Sequence, residues 1–203
     1  MKNTIHWSSI IVGCLIMIGI WQYNKGNLSY VQASIAHGLL DKAWVRSQMS
    51  GKTAQPWPGS NTWPLARISV PERAIDQVIL KNKNVSIPSF ALTHVEYSVF
   101  PGEMGNSVLS APKHIYNAFL KHLKIGDILV LDSLHSGRWR FRVSHVKITT
   151  KSDTALLDVS AEPRLTLISC YPCVKPQDEL RYVIIAETME RVENENEPPQ
   201  HIS

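Results

Sequence analysis

The chain opens on one long apolar run and then breaks into short alternating ones. Ile5 to Tyr23 covers 19 residues with no Asp, Glu, Lys or Arg, about the length a helix needs to cross the hydrocarbon core of a bilayer. Trp7 stands near one end and Trp21 and Tyr23 at the other, where aromatic rings favour a membrane–water interface. Lys2 precedes the run and no small-x-small cleavage pattern follows it directly, so the pattern predicts a retained transmembrane anchor over residues 1–26. From Ser29 to Met49, Val31, Ile35, Leu39 and Trp44 recur at helical spacing and stop at Gly51, which predicts a stalk helix.

AQPWPGSNTWPLARISVP then places four prolines and two tryptophans in 18 residues. That composition reads as an extended collar leading into a first strand at Leu65–Val70. Short strand-like runs follow at Ala74–Leu80, at a weak segment ending near Phe90–Leu92, at Ser107–Ser110 and at Ile128–Asp132. RWRFRVSHVKITT alternates, with Trp139, Phe141, Val143 and His145 sharing one parity. Two more strands lie around Cys170 and from Arg181 onward, about eight in all. One helix interrupts them, HIYNAFLKHL at 114–123, closed by Gly126-Asp127. Many short strands with turn signals and one crossover helix predict a mainly β protein, a closed or nearly closed barrel. The predicted organisation is anchor 1–26, stalk and collar 27–64, barrel 65–188 and a polar, disordered tail 189–203.

Charge narrows the function. The net +4 is spread along 203 residues without a run of like charges, so nucleic acid is not an expected partner. Phosphate-binding glycine loops and a metal-ligand cluster are absent from the sequence, and no cofactor is expected. The candidate chemistry is in LTLISCYPCVKPQDELRY. A strand delivers Cys170 to its C-terminal end, where Pro172 stops the ladder. Arg181 opens the next strand, so its guanidinium can sit beside the thiol and favour the thiolate, which is a minor species at neutral pH when unaided. Of the three cysteines, Cys14 lies in the apolar run, which leaves Cys170 and Cys173 as a C-x-x-C pair able to close a small disulfide. A thiol–disulfide oxidoreductase is therefore a competing reading. Thioredoxin-like motifs open a helix, whereas VKPQDEL contains a proline and runs into a strand.

The order of PWPGSNTWPLARI, FALTHVEYSVFPGEMGNSVLS, FLKHLKIGDILVL, TLISCYP and RYVIIAE resembles the sortases, in particular the class found in Gram-negative bacteria, over residues 30–188. The resemblance implies an eight-stranded β-barrel cysteine transpeptidase at the periplasmic face of the inner membrane. It would be a monomer acting on a protein with a C-terminal sorting signal, and water or an amine would resolve the acyl-enzyme. The family's TLxTC appears as TLISC, with Ser169 for threonine. Cys170 carries over as nucleophile and Arg181 as the group that positions substrate and stabilises the oxyanion.

The larger departure from the family lies at its histidine. Aligned from Asn106 to FLKHLKIGD, NSVLSAPKH places Pro112 where sortases of this class carry a histidine and Lys113 where an arginine follows. Proline cannot move a proton, and a positioned acid or base is worth about 10²–10⁴ in rate. His6, His37, His122, His135, His145 and His201 fall in termini, stalk, helix, turn or apolar strand face. His114, two residues beyond Pro112, and His94 in FALTHVE remain as candidate replacements. A sortase-fold protein that binds a sorting peptide or a partner but turns over poorly is the alternative reading.

Overall fold

The structure is a computed structural model that describes residues 7–82, 91–174 and 178–192. The chain forms two compact units, Met1–Gly38 and Leu39–Ser203. Helix α1 runs Trp7–Ser50 without a break, so the expected boundary between anchor and stalk is not an element boundary. Among the described residues no helix is long and apolar enough to cross a membrane, and the transmembrane helix expected over residues 1–26 is not supported. Residues 1–6 and the side chains of 7–10 and 18–35 lie outside the described ones.

In the larger unit eight strands close into a barrel: β1 (Thr62–Val70), β2 (Ile75–Asn82), β3 (Leu92–His94), β4 (Asn106–Ala111), β5 (Ile128–Ser133), β6 (Gly137–Thr150), β7 (Arg164–Tyr171) and β8 (Leu180–Val192). Their order around the barrel is β1-β2-β3-β4-β7-β8-β6-β5. The β2–β3 and β4–β7 pairs are parallel, and the others antiparallel. Leu92, Leu109, Leu129, Phe141, Leu165, Leu167 and Ile184 are fully buried inside; each contributes roughly 1.5–3 kcal/mol relative to exposure. On the outer face of β2, Val78 and Leu80 pack with Leu40 and Trp44 from the C-terminal turns of α1; of the expected stalk positions Trp44 is buried, Leu39 is half-buried with Leu40 packed instead, and the side chains of Val31 and Ile35 lie outside the described ones.

Four local expectations are corrected. The weak strand, expected to end near Phe90–Leu92, instead begins at Leu92; β3 gains its place by bridging β2 through Ile79↔Leu92 and β4 through His94↔Leu109. The expected helix over 114–123 is shorter, α2 at Lys113–Ala118 followed by a 3-10 turn at Leu120–His122. His145 does not share the inner face of Phe141 and Val143. The β6–β8 register slips between Val143 and His145, and this bulge reverses the alternation, so His145 is exposed and Val146 packs on the core. Finally, β8 continues to Val192 rather than fraying at 189. Glu190 pairs with Arg140 at 3.1 Å, and the Arg191 guanidinium lies 5.9 Å from the Trp139 ring centroid. Residues 193–203 of the expected tail lie outside the described ones.

Candidate active site

The ends of β4, β7 and β8 meet at one mouth of the barrel. Cys170 is the penultimate residue of β7 and pairs directly with Arg181 near the start of β8. Strand alternation puts Leu165, Leu167 and Ser169 on the core face, so Cys170 and Arg181 share the opposite face. Both are partly buried. One Nη1 of Arg181 donates to the carbonyls of Asp178 at 2.7 Å and Leu180 at 2.9 Å. The Cys170 sulfur is bonded to that of Cys173, with the two Cα atoms 5.0 Å apart.

β4 runs parallel to β7, and its last pair is Ala111↔Ser169. One step further on each chain stand Pro112 and Cys170. Ser169 donates its hydroxyl to the Ala111 carbonyl at 2.7 Å and is itself buried, so the serine of TLISC locks the end of β4 to the strand that carries the thiol. Deeper in the same seam the Asn106 carboxamide accepts from Thr166 at 2.7 Å and donates to the Leu156 carbonyl at 2.9 Å. That bond holds the β6–β7 connection against both strands.

The candidate histidines are placed very differently. His114 is exposed on the first turn of α2, two residues past Pro112. His94 ends β3 level with Leu109, which is level with Leu167; by strand spacing and rise it stands on the order of 14 Å from Cys170. It is 7% exposed, and its Nε2 lies 2.9 Å from the Val99 carbonyl. That contact assigns the proton to Nε2 and leaves Nδ1 buried without a partner among the described residues. Burial pushes the His94 pKa below the ordinary histidine value, against the opposing pull of the Val99 bond. A neutral ring fixed in this way serves the β3–β4 turn. The structure therefore brings Cys170, Arg181 and the Pro112 step together, with His114 nearby in sequence and His94 on another strand.

Sequence reasoning missed the aromatic floor of this mouth. Tyr171 and Tyr182 stack at 6.1 Å, and Tyr116 of α2 meets them edge-on at 6.4 and 5.2 Å. Burial, then the neighbouring tyrosines, raise the pKa values of Tyr116 and Tyr182, so both remain phenols at neutral pH. The signal was available: Tyr171 and Tyr182 each follow a candidate site residue, and alternation sends them to the inner face. Among the described residues no group of His, Cys, Asp and Glu is placed to hold a metal. After Cys173 the chain enters β8 with no helix among the described residues, unlike the helix that a thioredoxin-like motif opens. A partly buried thiol facing a guanidinium across two strand ends can form an acyl-thioester and stabilise an oxyanion once the sulfur is reduced.

Comparison with known proteins agrees with this geometry. The family profile described as "Sortase domain" matches residues 68–189. No curated protein sequence matches the chain at a significant level. Among solved structures, the Clostridium perfringens sortase D5 transpeptidase superposes with a TM-score of 0.60 at 16% identity, covering 77% of this chain and 99% of that one. Sortase A of Corynebacterium diphtheriae gives 0.54 at 20% identity, over 66% of this chain and 64% of its own. Sortase C-1 of Actinomyces oris gives 0.54 at 21%, over 63% of this chain and 75% of its own.

Proposed function

The chain belongs to the sortase family, and from that premise we propose that it is a cysteine transpeptidase that cuts a C-terminal sorting signal and passes the acyl group to an amine or to water. The observation that carries the reading is the direct pairing of Cys170 with Arg181 at the end of β7 and β8. In this reaction the reduced Cys170 thiolate attacks the scissile carbonyl carbon. Arg181 exchanges its carbonyl contacts for the oxyanion, the C–N bond breaks, and the leaving amine takes a proton. The incoming amine or water then attacks the thioester carbonyl and returns the electron pair to sulfur.

We assign the proton transfer to His114. It stands on the helix that begins next to Pro112, its exposure leaves it free to reorient, and His94 is buried and engaged by Val99. Assignment to the Gram-negative class rests on PWPGSNTWPLARI and FPGEMGNSVLS. The proposed location is the periplasmic face of the inner membrane. Ile11, Val12, Leu15, Ile16 and Met17 of α1 are exposed apolar residues, which supports contact with lipid.

Pro112, one step beyond the Ala111↔Ser169 pair, supports a second reading, a sortase-fold protein that binds a sorting peptide and turns over poorly. The deciding experiment incubates reduced protein with a threonine-containing sorting peptide and reads intact mass. The enzyme reading expects an acyl adduct that is lost in Cys170→Ala. Peptide binding with no adduct from any such peptide would favour the binding reading.

A further inference from the structure

The two sulfurs of the C-x-x-C pair are bonded to each other, yet they are not equivalent. Cys170 is partly buried and lies on the face shared with Arg181. Cys173 is 4% exposed and is enclosed beside the Cys170 carbonyl and the Ser169 hydroxyl. Thiol–disulfide exchange proceeds by attack on the sulfur an incoming thiolate can reach, and the enclosed sulfur is the leaving group. In the same state Arg181 spends one Nη1 on the carbonyls of Asp178 and Leu180, and the Asp178 carboxylate accepts from the backbone N–H of Val174, the residue after Cys173, at 2.8 Å. Cys173 is thereby linked through its neighbour to the residue that holds Arg181.

Resting on the reading of Cys170 as nucleophile, we propose that Cys173 is a resolving thiol: it stores Cys170 as a disulfide, and a dithiol reductant must attack Cys170 Sγ before the first acyl group is accepted. The reductant's thiolate forms a mixed disulfide with Cys170. The Cys170–Cys173 bond breaks, and its electron pair goes to Cys173, which takes up a proton in its enclosed site. The reductant's second thiolate attacks its own sulfur in the mixed disulfide and releases the Cys170 thiolate. The protein gains two electrons and the dithiol becomes a disulfide. A disulfide oxidant reverses the cycle and silences the nucleophile. The partner implied is thus a dithiol–disulfide exchange protein or a small dithiol, acting ahead of transpeptidation.

The test uses the full chain in a series of reduced and oxidised dithiothreitol mixtures. Samples are quenched with acid, unfolded and alkylated, and intact mass counts the labels. With three cysteines in the chain and Cys14 free, the expected result is one label in oxidising buffer and three in reducing buffer. Cys173→Ser and Cys173→Ala should carry two labels throughout and acylate in oxidising buffer as the reduced wild type does. Glutathione added to the oxidised chain and trapped by acid should be found on Cys170 by peptide mapping. Three labels in every buffer, or glutathione on Cys173, overturns the proposal. The transpeptidase reading is scored separately with the sorting peptide. A chain that cycles its disulfide but never acylates when reduced sinks that reading, whereas one that acylates equally fast in both buffers sinks the switch.

Discussion

The hydroxyl of Ser169 donates to the carbonyl of Ala111 at 2.7 Å, so the residue before the nucleophile fastens the end of the strand that leads into Pro112. Removing this buried bond by Ser169→Ala leaves the Ala111 carbonyl without its side-chain donor, at a cost of about 1–3 kcal/mol. Urea unfolding should show that loss, with the slope unchanged. Ser169→Thr, which keeps the hydroxyl and restores the family's residue, should recover much of it.

Arg181 faces Cys170 and already presents donors to two carbonyls. Arg181→Ala should lower acylation of reduced Cys170 by about 10²–10³, the range for losing one oxyanion donor in a dry site. Arg181→Lys should recover little, because an ammonium lacks the planar fork of the guanidinium. Single-turnover acylation measured by intact mass checks both, and an Arg181→Ala protein as fast as wild type would remove the arginine from the mechanism.

His114→Ala should cut acylation by about 10² or more if His114 moves the proton, whereas His94→Gln should leave the step near its wild-type rate. Rebuilding the family pair by Pro112→His with Lys113→Arg discriminates the two functional readings. It should change little in a working enzyme and should raise acylation from near zero in a protein that only binds.

His94 also makes the barrel sensitive to acid. Its folded-state pKa is depressed, chiefly by burial, so the unfolded chain binds the proton more readily. The neutral histidine's contribution is complete above the ordinary histidine pKa of about 6.5 and falls as pH drops below that value towards the folded pKa. The urea midpoint of the wild type should therefore decline from pH 7 to pH 5 more steeply than that of His94→Gln. Parallel curves over that range would show that His94 does not titrate in this way.

Much of the architecture was legible because β-structure writes itself as alternation and turn residues. Leu165, Leu167 and Ile168 among Thr and Ser, with Pro172 as a stop, locate β7 and put Cys170 at its end. The thiol and guanidinium could be named because each sits at the edge of an apolar run. Other features depended on pairing between distant segments. The slip at Ser144 follows from how β6 fits β8, and it turned His145 outward against its sequence parity. The sequence offers His94 beside His114 as a candidate, and only the register of β3 between β2 and β4 shows that its ring is buried.

By itself the sequence determined most of the strands, the mainly β class, and the pair of groups able to do acyl-transfer chemistry, because periodicity and residue type are local properties. The tertiary structure decided which of those groups meet. It set Cys170 across from Arg181, brought the Pro112 step alongside through the parallel β4–β7 register, and distinguished the enclosed Cys173 from the partly buried Cys170. Register, burial and access arise from packing segments far apart in the chain, and no local pattern encodes them.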